Sequence, residues 1–234
     1  MSTRRALLAA TTTLTLTLAT TLSPATAATP AARTSASAPD KPQRPGPLLW
    51  DAIASLPLSG EDRTGYKRSS FKHWIDADHD GCSTRAEVLL AEAVTPPQVG
   101  PGCTLTGGQW YSYYDDTTVD QASSLDVDHL VPLAEAWDSG AHAWTPAQRE
   151  AYANDLDQPY HLVAVTARAN RSKADKDPAE WLPPSEAVWC RYIAEWTAVK
   201  INWGLTVDAA EKTALTTTAQ DCPNSPLPDL ADAS

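Results

Sequence analysis

Four cysteines, Cys82, Cys103, Cys190 and Cys222, set the tightest limit on how this chain can fold. An even count matters where thiols oxidise, and the N-terminus points to such a compartment. Arg4 and Arg5 begin a leader, a Leu/Ala/Thr stretch follows, and Ala25-Thr26-Ala27 supplies a small-x-small cleavage pattern. Residues 1–27 therefore read as a secretory signal peptide. Its apolar part is too short and too rich in threonine for a membrane span. The protein is expected to be secreted and extracellular, with no membrane attachment. Two disulfides are expected, and three pairings are open. Local structure favours 82–103 and 190–222. Val188, Tyr192, Val199 and Trp203 recur at helical spacing across 185–203. Gly204 can end that helix, and Asp208 with Glu211 forms a capping-box-like start for the next. If the two helices fold back as a C-terminal hairpin, the ends carrying Cys190 and Cys222 meet.

Residues 28–47 are almost all Ala, Pro, Ser, Thr and charged residues. Such a stretch cannot bury enough apolar surface to offset chain entropy, so it reads as a disordered linker. Residues 48–222 have globular composition and the size of one domain, and 223–234 read as a flexible tail. The chain is acidic: 29 Asp and Glu face 18 Lys and Arg, a formal net charge of −11. That argues against tight, charge-driven binding of nucleic acid, but not against a hydrolase that engages phosphates locally through a metal ion. Basic residues do gather in two stretches, Arg63, Lys67, Arg68 and Lys72, then Arg168, Arg171, Lys173 and Lys176.

The pattern predicts an α+β fold. Thr104–Thr106 and Trp110–Tyr114 are β-prone runs across Gly107-Gly108, a hairpin signal. Asp126–Val131 alternates like a strand, and Pro132–Trp137 is helical or turn-like. Thr145-Pro146-Ala147-Gln148 combines an N-cap, Pro at the first helical position and Gln three residues after the cap, starting a helix to about Asp155. His161–Thr166 is a β-branched strand, and 167–174 a short helix. The central order is strand, connection containing a helix, strand, helix.

That order can gather chemistry. Asp128-His129 ends one strand, His161 opens the next, and Asn170 and Lys173 share one face of the following helix. A hard divalent cation takes oxygen ligands, which Asp128 and Asn170 offer. An imidazole can take a proton from water near neutral pH. A bound cation with Lys or Arg nearby can hold the charge that develops on a phosphate.

In "DVDHLVPLAEAWDSGA", "YANDL", "HLVAVTARANRSKADKDPAEWLPP" and "DADHDGCSTRAEVL" the chain resembles the HNH, or ββα-metal (His-Me finger), nucleases. More narrowly it is similar to secreted actinobacterial HNH endonucleases related to the nuclease domain of GmrSD-type restriction enzymes. The resemblance covers about residues 48–222. It implies a single domain with a ββα-metal core and surrounding helices. It also implies His129 as general base and one divalent metal, Mg²⁺ or a similar ion such as Mn²⁺, held by Asp128 and Asn170. His161 falls where the family has its middle Asn, which orients the base, and Asn154 is a second candidate for that amide. Arg171 and Lys173 are the expected phosphate contacts. The substrate implied is nucleic acid, DNA ahead of RNA, cut with little sequence specificity by a monomer.

Residues 76–87 also fit an EF-hand loop: Asp76, Asp78, Asp80, Gly81 and, at the twelfth place, Glu87. Cys82 and Ser83 depart from that pattern, and a structural loop capping a helix over 83–93 is the competing reading of this candidate Ca²⁺ site. Of the nine tryptophans, Trp189, Trp196 and Trp203 are seven apart, a stripe expected to be core. Two rival functions stand beside the nuclease. One is a zinc-dependent cell-wall peptidase or amidase using Asp128, His129 and His161, which lacks a His-Glu-x-x-His motif. The other is a non-catalytic Ca²⁺-binding module, which leaves residues 128–173 unexplained.

Overall fold

The computed structural model describes residues 46–228. The leader, nearly all of the linker and the last six residues lie outside them. In chain order the helices are α1 (Leu49–Ser55), α2 (Thr84–Ala91), α3 (Leu133–Asp138), α4 (Pro146–Ala153), α5 (Ala167–Lys173), α6 (Trp189–Asn202) and α7 (Ala209–Ala219). The strands are β1 (Gln98–Gly100), β2 (Thr104–Thr106), β3 (Trp110–Ser112), β4 (Thr117–Val119), β5 (Leu125–His129) and β6 (Leu162–Thr166). The strands pair in order as three separate two-stranded antiparallel ribbons. The α+β expectation holds.

The β5–β6 ribbon organises the rest. Leu125 faces Thr166 and His129 faces Leu162 across it. Directly opposed residues share a face. On one side Leu125, Val127, Leu162 and Ala164 pack with Val88 and Leu89 of α2 and with Trp110. On the other, Val163 and Val165 enter the main core with Ala169 of α5 and Tyr192, Ile193 and Trp196 of α6. Asp126 and Asp128 pair with Val165 and Val163 on that second side, which α5 covers. The turn into α5 is immediate, because the Thr166 side chain accepts the Ala169 N–H as an N-cap. At the edge of β6, Glu92 accepts the Ala164 N–H at 3.0 Å, satisfying a group that would otherwise lack a strand partner.

Local signals explain most elements. The Thr145/Gln148 capping box is formed at α4. Asp208 caps α7 through the Glu211 N–H, and Ser83 caps α2 through that of Ala86. Cys190–Cys222 clips α6 to the residues after α7, and Cys82–Cys103 ties the start of α2 to the β1–β2 ribbon. Trp196 is fully buried, with Trp203 and Val188 packed at the margin of the same core.

The Gly107-Gly108 hairpin is not formed. β2 pairs back to β1, and β3 pairs forward to β4. The chain leaving β2 instead runs beside Thr95, which exchanges both backbone hydrogen bonds with Gln109. Trp110 dictates this path. Its indole donates to the Leu89 carbonyl at 2.6 Å, and its ring lies so close to Gly108 that a Cβ there would sit 2.6 Å from it. The folded body also runs past the expected boundary at Cys222. Leu227 is buried, its N–H donates to the Pro47 carbonyl, and the Leu49 N–H donates to that of Ser225.

Lys200 of α6 is fully buried and donates to Glu135, Ser139, the Thr206 carbonyl and Glu211. Two carboxylates thus share one ammonium. Burial pushes the Glu211 carboxyl up to about 8, with the Lys200 charge opposing the shift. Burial likewise pushes Glu92 up to about 7. Both groups hold a proton more tightly folded than at the ordinary 4.5. Their contribution is therefore fullest near or below that value and is lost as pH rises through 7 to 8. Calorimetry should show a lower Tm at pH 8 than at pH 5, and Glu211→Gln should make that fall shallower.

Candidate active site

The C-terminal end of β5 and one face of α5 form a cleft of about 320 Å³. Asp128, His129, Asn170 and Arg171 line it, together with Arg68 from a short 3-10 turn (Arg68–Ser70). The expected base and both expected metal ligands are thus gathered in one place.

His129 is buried, and its Nε2 lies 3.0 Å from the Ala153 carbonyl oxygen. A carbonyl only accepts, so Nε2 carries the hydrogen and Nδ1 the lone pair. Burial, then the neighbouring His161, hold the imidazole well below its ordinary pKa. It is therefore neutral at pH 7. The end of α4 presents the Ala153 carbonyl, and Asn154 is the reason that end is fixed. Its Nδ2 donates to the Lys72 and Glu150 carbonyls, and its Oδ1 accepts from the Ile75 N–H and the Thr84 hydroxyl. Asn154 does not touch the base; it locks the backbone next to the group that does.

Asp128 is also buried. Its Oδ2 accepts from the Tyr114 hydroxyl at 2.7 Å and from Lys173 Nζ at 2.6 Å. Burial pushes this carboxyl up, and the charge of Lys173 opposes the rise. Asn170 Nδ2 donates to Asp126 Oδ2 at 3.1 Å. Among the described residues, the hydrogen bonds of Asp128 fall on Oδ2 and that of Asn170 on Nδ2. Each keeps an oxygen for another partner, and two oxygens with room for water suit a hard divalent ion such as Mg²⁺. Arg171 is about three-quarters exposed, with its Nε 3.5 Å from Asp126.

Two expected site residues are placed elsewhere. Lys173 does not line the cleft: it is fully buried, bonded to Asp128 and, at 3.0 Å, to the His129 carbonyl. A ligand in the cleft cannot displace it without breaking that pair. His161 does not line the cleft. It is 1 % exposed, its Nε2 faces the Tyr152 carbonyl at 2.7 Å, and its ring packs on Tyr152 and Trp203. Its Nδ1 lies 3.8 Å from Asp155. Although its ring lies 6.4 Å from that of His129, Asp128, His129 and His161 do not form a group with ligand atoms within 4.8 Å of one another among the described residues, as a zinc peptidase would need. Sequence reasoning missed the Ala153 carbonyl, which no side-chain pattern signals. It also left Arg68 as one member of a basic run.

In the acidic loop, carboxylate oxygens of Asp76, Asp78 and Asp80 lie within 4.8 Å of one another, and Glu87 is outside that group. The carboxylates are engaged by the loop's own N–H groups at Gly81, Asp80 and Cys82.

Residues 102–218 match the family model for GmrSD restriction endonucleases, C-terminal domain. An Arthroderma benhamiae protein named "Uncharacterized secreted protein" is 41% identical over 193 residues, 81% of this chain and 92% of the relative. No solved structure matches the chain.

The two cations on α5 should separate cleanly in stability measurements. Removing one partner of a buried ion pair strands the other, so Lys173→Met should cost about 3–5 kcal/mol in urea denaturation. Arg171→Ala, on the exposed rim, should fall within about 0.5 kcal/mol of the parent.

Proposed function

The chain belongs to the family of GmrSD restriction endonuclease C-terminal domains, and from that membership and the cleft we propose a secreted, metal-dependent endonuclease of the HNH type. It hydrolyses phosphodiester bonds, of DNA in preference to RNA, with little sequence specificity. One observation carries the reading: the His129 imidazole is bonded through Nε2 and lines the same cleft as Asp128 and Asn170, and in this reading Nδ1 is the nitrogen left to act as base. Export is supported by the two disulfides and by the name of the Arthroderma benhamiae relative. Among the described residues no helix is long and apolar enough to cross a membrane.

In this reading Asp128 and Asn170 hold one divalent ion, Mg²⁺ or Mn²⁺, through the oxygens not engaged by the scaffold. Such an ion supplies positive charge for the scissile phosphate and the departing oxygen. His129 takes a proton from water on Nδ1 as the water oxygen attacks phosphorus and the bond from phosphorus to the departing oxygen breaks; that oxygen takes up a proton from solvent, and the imidazolium gives its own back to solvent. The Ala153 carbonyl becomes a stronger partner for Nε2–H as that charge develops. Arg171 and Arg68, both lining the cleft, bind the phosphate. Lys173 and Tyr114 keep the Asp128 carboxylate aimed, and Asn154 keeps the Ala153 carbonyl in place.

Plasmid DNA incubated with the purified, oxidised protein should be nicked and degraded with Mg²⁺ or Mn²⁺ and left intact with EDTA. A general base contributes about 10²–10⁴-fold, and His129→Ala should lose activity on that scale while retaining its fold by circular dichroism. Undiminished cleavage by His129→Ala would sink the assignment of the base.

A further inference from the structure

One aromatic residue beside the cleft sits in a backbone conformation that its side chain disfavours. Trp74 has φ 63°, in the left-handed region where a bulky residue is an outlier. Such outliers persist where the surroundings over-determine them, and they gather at functional sites. The surroundings here are explicit. The Asn154 side chain clamps both flanks of the His73-Trp74 dipeptide, through the Lys72 carbonyl at 2.8 Å and the Ile75 N–H at 3.1 Å. The Ile75 carbonyl accepts from the Thr84 N–H. His73 folds back through Nδ1 onto the Phe71 carbonyl at 2.9 Å.

What this clamp presents is a ring against His129. The Trp74 and His129 centroids are 5.2 Å apart with planes inclined by 32°. Tyr152 lies 6.4 Å from the same imidazole and nearly parallel, at 12°. The hydrogen bond to Ala153 fixes one nitrogen but leaves the ring free to turn about it. Tyr152, nearly parallel, and Trp74, tilted and nearer, lie against the imidazole, while His73 and His161 meet it edge-on at 6.4 Å; of these four rings Trp74 is the nearest, and its contact restrains the plane and with it the direction of Nδ1. Tyr152 is fully buried and tied by its hydroxyl to the Val131 carbonyl, so it is the fixed wall. Trp74 is half-buried and packs at the edge of the smaller core cluster.

We propose that Trp74 is a positioning residue for His129: its ring, held in place by the strained 72–75 segment, sets the plane of the imidazole. The inference rests on reading His129 as the general base. Trp74 precedes the span matched by the family model.

The test combines long-range ¹H–¹⁵N NMR of the His129 imidazole with cleavage kinetics in Trp74→Ala, Trp74→Leu and Trp74→Phe. The parent and Trp74→Phe should show one sharp set of His129 ring resonances in the Nε2–H tautomer that the Ala153 carbonyl fixes. Trp74→Ala and Trp74→Leu should keep that tautomer but show exchange broadening of the ring resonances as the imidazole plane turns. Misplacing a catalytic group by about 1 Å can cost roughly 100-fold, so kcat should fall on that order in these two variants, with KM within about threefold and Trp74→Phe near the parent. Trp74→Leu keeps apolar bulk and serves if Trp74→Ala does not fold. Unbroadened His129 ring resonances and an unchanged kcat in the ring-less variants would overturn the proposal. So would a raised KM at constant kcat, which would make Trp74 a substrate contact. If the parent cleaves no nucleic acid, the nuclease reading fails, and the NMR comparison still decides whether Trp74 holds the ring.

Discussion

A lysine and an aspartate, both out of water, join the strand that ends in the cleft to the helix that covers it. Lys173 is 0 % exposed and bonds Asp128 on β5 and the carbonyl of the next residue, His129. Taking two charges out of water is costly, and attraction offsets that cost only with good geometry and satisfied partners. Both conditions are met, because Tyr114 supplies a further donor to the same carboxylate oxygen. The spacing between β5 and α5, and so the width of the cleft, follows from this contact.

The three central groups share one plan. Asp128 uses Oδ2 on the scaffold, Asn170 uses Nδ2, and His129 uses Nε2. Each has a second atom on the same planar group, and holding one half of a rigid group orients the other. Preorganisation of this kind places donors and acceptors before a ligand arrives, with little rearrangement left for the moment of reaction. The network behind the first contacts is as specific as the contacts themselves: Asp126 aims the amide, Ala153 the imidazole, and Tyr114 with Lys173 the carboxylate.

Much of this was legible in local sequence. The strand–helix–strand–helix order from 125 to 173 follows from β-branched runs and from the cap at Thr145. The pairing of Cys190 with Cys222 follows from a helical hairpin. Asp128, His129 and Asn170 converge as their positions on β5 and α5 suggested. Other features depended on contacts distant in sequence. Gly107-Gly108 has hairpin chemistry, yet Trp110 bonding to Leu89 directs those glycines into a different turn. His161 opens β6 beside the end of β5, yet Tyr152 and Trp203 give its ring an interior pocket. Lys173 reads as a surface lysine until the partner under its helix is known. The residue that orients the base does so through a main-chain carbonyl, and a carbonyl exists at every position of every sequence.

Residues 47–49 and 225–227 clasp each other through backbone hydrogen bonds and an isolated bridge between Leu48 and Pro226. The two ends of the folded body therefore meet, and the path of the chain through it is close to a ring. In a ring the starting point is a matter of convention. Adjacent termini are the circumstance in which a chain tolerates being opened elsewhere and rejoined. A permutant joined across this clasp and opened at an exposed loop would keep β5, β6 and α5 in one uninterrupted segment. Fraying is constrained in the same way, since neither end can peel away without releasing the other.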